Sequence, residues 1–181
     1  MIRSAVTLFR ERGVEGTSFS DVLAHSGAPR GSIYHHFPGG KSELVEEATR
    51  YSGELIAAGL AAGLAQNDPE EAVRGFVAGW RGALDSSDFG SGCAVAAATI
   101  EGERVPGARD AAGVAFARWQ ALLADAFAER GVDRARAGSL AALAIAAIEG
   151  GILLARAQRS SEPLERVADE LASLVAVAVG D

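Results

Sequence analysis

An all-α fold is predicted for this sequence by three observations. Alanine and leucine recur at helical spacing along most of its 181 residues. Runs of β-branched residues are short, and the Asn-Gly and Asp-Gly pairs that join adjacent strands are missing. Breakers and capping residues then cut the chain into about nine helical segments.

The segments follow in order. Residues 2–12, with Val6, Leu8 and Phe9 apolar, form the first, and Gly13 ends it. Thr17 and Ser18 are capping candidates for a second over 19–25, which Gly27 stops. Pro29 suits the first position of a short third helix because it has no N–H to leave unbonded; that helix ends near His36, before the turn Pro38-Gly39-Gly40. A long helix spans 41–65. Asp68-Pro69-Glu70-Glu71 combines a cap, a proline and acids at the positive end of the next dipole, starting a helix that reaches about residue 85. Residues 86–92 read as a loop, with Gly90-Ser91-Gly92 a flexible connector. A short helix covers 93–102, and another runs from Pro106-Gly107 to about residue 130. Gly131 breaks it, Asp133 caps a helix over 134–159, and Pro163 opens the last, ending near Val179.

Composition narrows the class. Hydrophobic residues at 49% and charged residues at 23% suit a soluble globular chain of one or two domains, and the single cysteine excludes an internal disulfide framework, so a cytoplasmic location is expected. The start carries no signal-peptide pattern. The apolar stretches Leu140–Ile148 and Leu171–Val179 are about half the length of a membrane span and read as buried helix. The net charge of −7 is unevenly spread: residues 1–42 carry +2, which leaves −9 for the rest, and the only lysine and all three histidines lie in the positive part. A small cationic head on an acidic body fits contact with phosphate at one end.

The head has a recognisable plan. Its second and third segments are joined by Ser26-Gly27-Ala28, the tight glycine turn of a helix-turn-helix, whose second helix enters a DNA major groove. On a helical wheel Ile33 and Phe37 share a face that would pack on Phe9, Phe19 and Val22. Gly31 and His35 lie opposite, flanked by Ser32 and Tyr34. That face is too polar for a core, and Gly31 would let the backbone approach DNA closely.

The stretch SFSDVLAHSGAPRGSIYHHFPGGKSEL resembles the DNA-binding segment of TetR-family repressors, and its Pro29–Lys41 run is similar to the LmrA/YxaF-like branch. Gly92-Cys93 to Glu101, and Glu149-Gly150-Gly151 through Arg159-Ser160, resemble that branch's ligand domain, so the likeness covers nearly the whole chain. It implies a head over 1–40, a linking helix over 41–65 and a ligand-binding, dimerising body over 41–181. It implies that Thr17, Ser18, Tyr34 and Lys41 meet phosphate, and that Pro29, Arg30, Gly31, Ser32 and His35 face the groove. Two departures stand out. Leu23 is larger than the small residue common at its position, and the basic arm that often precedes the first helix has no counterpart in these residues.

The resemblance also implies a homodimer on a pseudo-palindromic operator, released by a small molecule held in the helical body. Planar, amphipathic or aromatic effectors are expected for this branch. The candidate lining is Phe76, Trp80, Phe89, Cys93, Phe116, Trp119 and Phe127, with Glu101, Gln120 and Glu149 as polar anchors. The last two long helices carry Leu140, Leu143, Ile148, Ile152 and Leu153, then Leu164, Val167, Leu171, Leu174, Val175 and Val179. These stripes are more apolar than a two-helix surface needs, and they form a dimer interface unless they close a bundle within one chain.

Other chemistries find little support. His25, His35 and His36 lack a cysteine partner and the i, i+4 spacing of a helical metal site. His36 reads as half-buried packing. Gly90-Ser91-Gly92 lacks the strand and third glycine of a phosphate loop, and no cation stands near Cys93 in sequence to activate it. Neither a nucleophile elbow nor a zinc-protease helix is present, so no enzyme and no cofactor is expected. The competing reading is a helical small-molecule-binding protein that does not bind DNA.

Overall fold

The computed structural model describes residues 1–29, 31–100 and 105–180, with residues 33 and 34 described by their backbone alone. Among the described residues it holds nine α-helices: α1 (Ile2–Arg12), α2 (Phe19–Ser26), α3 (Ser32–His36), α4 (Lys41–Gln66), α5 (Pro69–Ser86), α6 (Ala94–Ile100), α7 (Pro106–Glu129), α8 (Arg134–Gln158) and α9 (Glu162–Gly180). The all-α expectation and the order of its elements hold.

Local chemistry explains most boundaries. Ser18 caps α2, and Gly27 ends it in the left-handed region at φ 68°. Asp133 caps α8, accepting from the N–H groups of Ala135 and Arg136 at 3.0 and 3.2 Å. Two expectations need correction. Pro29 does not begin α3: the Ser32 N–H closes a turn onto the Pro29 carbonyl at 3.0 Å, and the helix starts at Ser32. Asp68 takes the N-cap position of α5 but makes no capping bond. Its carboxylate instead meets Arg130, far along the chain.

The chain divides into two compact units, residues 1–55 with 92–115, and 56–91 with 116–181. The first unit buries Leu8, Phe9, Val22, Phe37, Leu44 and Val45 together with Ala94, Ala98 and Ala108. Helix α6 and the start of α7 thus complete the core beneath the helix-turn-helix. Leu23 is accommodated at the edge of this core, partly buried. Gly53 permits α4 and α7 to touch: a Cβ there would lie 2.6 Å from the Ala115 Cβ. These units follow packing, and neither ends at residue 40.

In the second unit α9 packs on α5 and α8. Its core includes Trp80, Trp119, Leu123, Phe127, Leu140, Ile148, Ile152, Leu164, Leu171 and Val175. Gly151 brings α8 onto α9, since a Cβ there would lie 2.9 Å from Leu164 Cδ1. Arg74 meets Asp169 at 2.5 Å and Arg81 meets Glu165 at 3.1 Å, tying α5 to α9. Both pairs are exposed, so solvent screening leaves them little net stabilisation. Helix α8 is long and apolar enough to cross a membrane by length and composition, through an 18-residue stretch longer than its apolar run Leu140–Ile148. Within the protein, 44% of that stretch is buried.

Candidate functional site

The head is built from the capping box upward. The Ser18 hydroxyl accepts the Asp21 N–H at 3.1 Å, and the Asp21 carboxylate accepts the Ser18 N–H at 2.7 Å. The Ser18 hydroxyl also donates to that carboxylate at 2.5 Å. These bonds fix the first turn of α2. They also hold the Asp21 carboxyl below its usual range: the Ser18 hydroxyl does most, then the Ser18 N–H, a burial effect opposes them, and Arg12 and Lys41 add weaker attraction.

A pH dependence follows. A lowered native pKa means that the unfolded chain takes up the proton first. The contribution of Asp21 is therefore present above the ordinary aspartate range and lost as pH falls through the lowered value. Urea unfolding from neutral to acid pH should show wild type losing its advantage over Asp21→Asn on acidification. Ser18→Ala should cost about 1 kcal/mol at neutral pH. An advantage of wild type over Asp21→Asn that persists undiminished in acid contradicts the assignment.

The residues expected at the DNA surface are placed unequally. Pro29, Gly31 and His35 are exposed, and Ser32 is half-buried. A Cβ on Gly31 would meet nothing within 4 Å, so space for a close approach is open above it. The Ser32 hydroxyl donates to the Pro29 carbonyl at 2.7 Å. Phe37, on the opposite side, is 5% exposed in the core with Phe9 and Val22, and Phe19 packs against them. Lys41 is half-buried at the start of α4. Ser18 is exposed, with its hydroxyl committed to the capping box.

Thr17 behaves differently from its expected role. It is buried, and its hydroxyl donates to the Gly13 carbonyl at 2.8 Å, which leaves Ser18 as the outward member of the pair. His36 is exposed rather than half-buried, and its ring meets His35 edge-on at 5.3 Å. Arg30 and the side chains of Ile33 and Tyr34 lie outside the described residues, as does Glu101.

Among the body candidates, Phe76 and Trp80 form an edge-to-face pair at 6.5 Å, and Phe116 and Trp119 another at 5.0 Å. Trp119 and Phe127 are fully buried core, and Trp80 is nearly so. Phe76, Phe89, Phe116, Gln120 and Glu149 are half-buried. Cys93 is buried and belongs to the unit that holds the head. Phe76 lines a cleft of about 380 Å³ between α4 and α5, floored by Gly59, Gly63, Gly75 and Gly79 with Leu60 at its base. A Cβ on any of those four glycines would meet open space. Volumes of this order suit a small organic ligand. No group of three metal-ligating side chains occurs among the described residues.

The apolar stripes of the last two helices separate once burial is known. Leu140, Ile148, Ile152, Leu164, Leu171 and Val175 are buried within their own chain, so these residues do not face a partner. Leu143, Leu153, Leu154 and Val177 are each about half or more exposed. Leu143, Ala147, Gly150 and Leu154 follow i, i+4, i+7, i+11 spacing and form one outward stripe on α8. Leu154 and Val177 were invisible as surface residues in the sequence, because helical periodicity does not say which stripe the chain itself covers.

Comparison with known proteins was made on this geometry. The profile described as bacterial regulatory proteins, tetR family, matches residues 1–48. That of the LmrA/YxaF-like transcriptional regulator C-terminal domain matches residues 69–170. An uncharacterised HTH-type transcriptional regulator of Mycobacterium tuberculosis is 42% identical over 184 residues, covering 97% of this chain and 92% of that protein. The HTH-type transcriptional regulator LmrA of Bacillus subtilis is 29% identical, covering 97% of this chain and 94% of its own. Among solved structures, a regulatory protein TetR from Rhodobacter sphaeroides superposes with a TM-score of 0.85 at 23% identity, covering 95% of each chain.

Proposed function

As the chain belongs to the TetR family of bacterial transcriptional regulators, in its LmrA/YxaF-like branch, we propose that it is a homodimeric cytoplasmic repressor released from its operator by a small apolar or aromatic molecule. The single observation that carries this reading is the surface of α3 and of the residues that flank it. Gly31 and His35 stand exposed on one side, and Phe37 seals the other side into the core. A helix held from behind, with a bare and polar front, is suited to a major groove.

Within this reading Ser18, Tyr34 and Lys41 position the head on phosphates, and Thr17 braces the start of α2 from inside. Arg30, Gly31, Ser32 and His35 read the groove behind Pro29, with Arg30 the guanine-reading candidate. Two heads of a dimer meet half-sites about 34–36 Å apart. The outward stripe of α8, Leu143 to Leu154, with Val177 of α9, is the dimer face. The effector lies among the body aromatics, and the Phe76 cleft supports a flat apolar ligand resting on glycine backbone. Its influence on the heads is bounded by its differential affinity for the two states. A retardation assay with the DNA upstream of its own gene tests the reading. A discrete shift that survives excess competitor DNA is expected; its absence favours a ligand-binding protein without an operator.

A further inference from the structure

The turn between α3 and α4 is built on two glycines and one buried ring. Phe37 is sunk in the core of the head, and the Gly40 N–H closes a turn onto its carbonyl at 2.9 Å. Gly40 holds left-handed backbone at φ 75°, and its own carbonyl accepts the Leu44 N–H at 3.2 Å. Gly40 therefore stands at the N-cap position of α4. Serine, threonine, asparagine or aspartate would supply a capping oxygen there, and glycine has no side chain to supply one.

Glu43 holds the turn from the helix side. It is the third residue of α4, and its Oε2 accepts the Gly39 N–H at 2.7 Å. A glutamate at this position reaches back to the cap residue in a capping box. Here it reaches one residue further, to the backbone before the cap. Gly39 must be bare for the carboxylate to fold over it, because a Cβ there would lie 3.2 Å from both the Cβ and the Oε2 of Glu43. Lys41 lies between the two ends of this clip, and Lys41 and Glu43 are both half-buried. The clip thus sits on the backbone that carries the head's lysine, and it places a carboxylate two residues from that cation.

We infer that Glu43 is a positioning residue for DNA binding: by holding the Gly39 N–H it fixes the turn that aims Lys41 at phosphate. The inference rests on the phosphate contact proposed for Lys41. Two effects of Glu43 oppose one another. Its charge repels a polyanion, but that repulsion is weakened by water and salt at a half-exposed surface. Its hydrogen bond orders backbone at two glycines, the residues that lose most freedom on being fixed. The ordering outweighs the screened repulsion, so an acid in the cationic head strengthens binding. Phe37 anchors the end of the reading helix independently, so Glu43 acts on affinity and not on base preference.

Two variants of the full-length protein separate charge from position, with binding to the DNA upstream of its own gene read by fluorescence anisotropy. Glu43→Gln keeps an oxygen for the Gly39 N–H and removes the charge; Glu43→Ala removes both. Glu43→Gln should bind as tightly as wild type or up to roughly threefold tighter. Glu43→Ala should bind roughly five- to tenfold more weakly, by the same factor for every single-base operator variant. The slope of log affinity against log salt should flatten by about 1 to 2 in Glu43→Ala alone, since each of two heads loosens one phosphate contact. If only charge matters, both variants bind more tightly than wild type and by the same factor; equal behaviour of the two, in either direction, overturns the proposal. Hydrogen exchange without DNA tests the clip apart from the repressor reading. The Gly39 and Gly40 amides should exchange roughly tenfold faster in Glu43→Ala than in Glu43→Gln, while those of Val45 and Ala48 stay protected. Unchanged exchange at Gly39 overturns the clip whatever the DNA shows, whereas a wild type that binds no DNA overturns the repressor reading whatever the exchange shows.

Discussion

Replacing Leu143 and Leu154 together by glutamate is expected to turn the dimer into monomers and to weaken operator binding by roughly 10²–10⁴-fold. Both leucines lie about half exposed on one stripe of α8, so each presents a large apolar surface that its own chain leaves open. Between them Ala147 and Gly150 keep the surface low enough for a second helix to approach. In a two-fold dimer each substitution appears twice, which places four carboxylates in an apolar seam, where burying unpaired charge is prohibitive. The protomer should remain folded, because the buried face of α8 is a different one, built on Leu140, Ala144, Ile148 and Gly151. Sedimentation gives the mass and fluorescence anisotropy the DNA affinity. A variant that stays dimeric would move the interface off this stripe.

The second large effect concerns base reading. Arg30→Ala should remove about 1–3 kcal/mol of discrimination at one base pair in each half-site, relaxing the sequence preference there. Tyr34→Phe should instead weaken all sequences alike, because a phosphate contact carries no sequence information. Binding measured across a set of single-base operator variants separates the two. If Tyr34→Phe changes the preference and Arg30→Ala does not, their roles are reversed.

Much of this was legible in the sequence where the determinant is local. The Ser18 cap, the Gly27 turn and the Asp133 cap each act within a few residues, and each could be read directly. The length of α3 was not, since Pro29 satisfies a local rule while Gly31, costing helix propensity, and a turn onto the Pro29 carbonyl delay the helix to Ser32. Asp68 has the composition of a cap but spends its carboxylate on Arg130, 62 residues away. The same limit hid the bonds of Arg10 to Gly92, Arg156 to Gly90 and Arg159 to Asp88, whose partners are 66 to 82 residues distant. The apolar stripes of α8 and α9 were visible, yet periodicity cannot distinguish a neighbour in the same chain from one in a second copy. Composition misled at 86–92, where the Phe89 N–H bonds the Leu84 carbonyl and the Gly90 N–H the Ser87 carbonyl, because serine and glycine form tight turns as readily as loose linkers.

The central claim is that the cationic head binds duplex DNA through phosphates on an otherwise acidic protein. Its most direct test is the salt dependence of binding to the DNA upstream of its own gene. With roughly six phosphates neutralised per dimer, the logarithm of the association constant should fall against the logarithm of salt concentration with a slope near −5. A slope near zero, or no binding at low salt, would contradict the account.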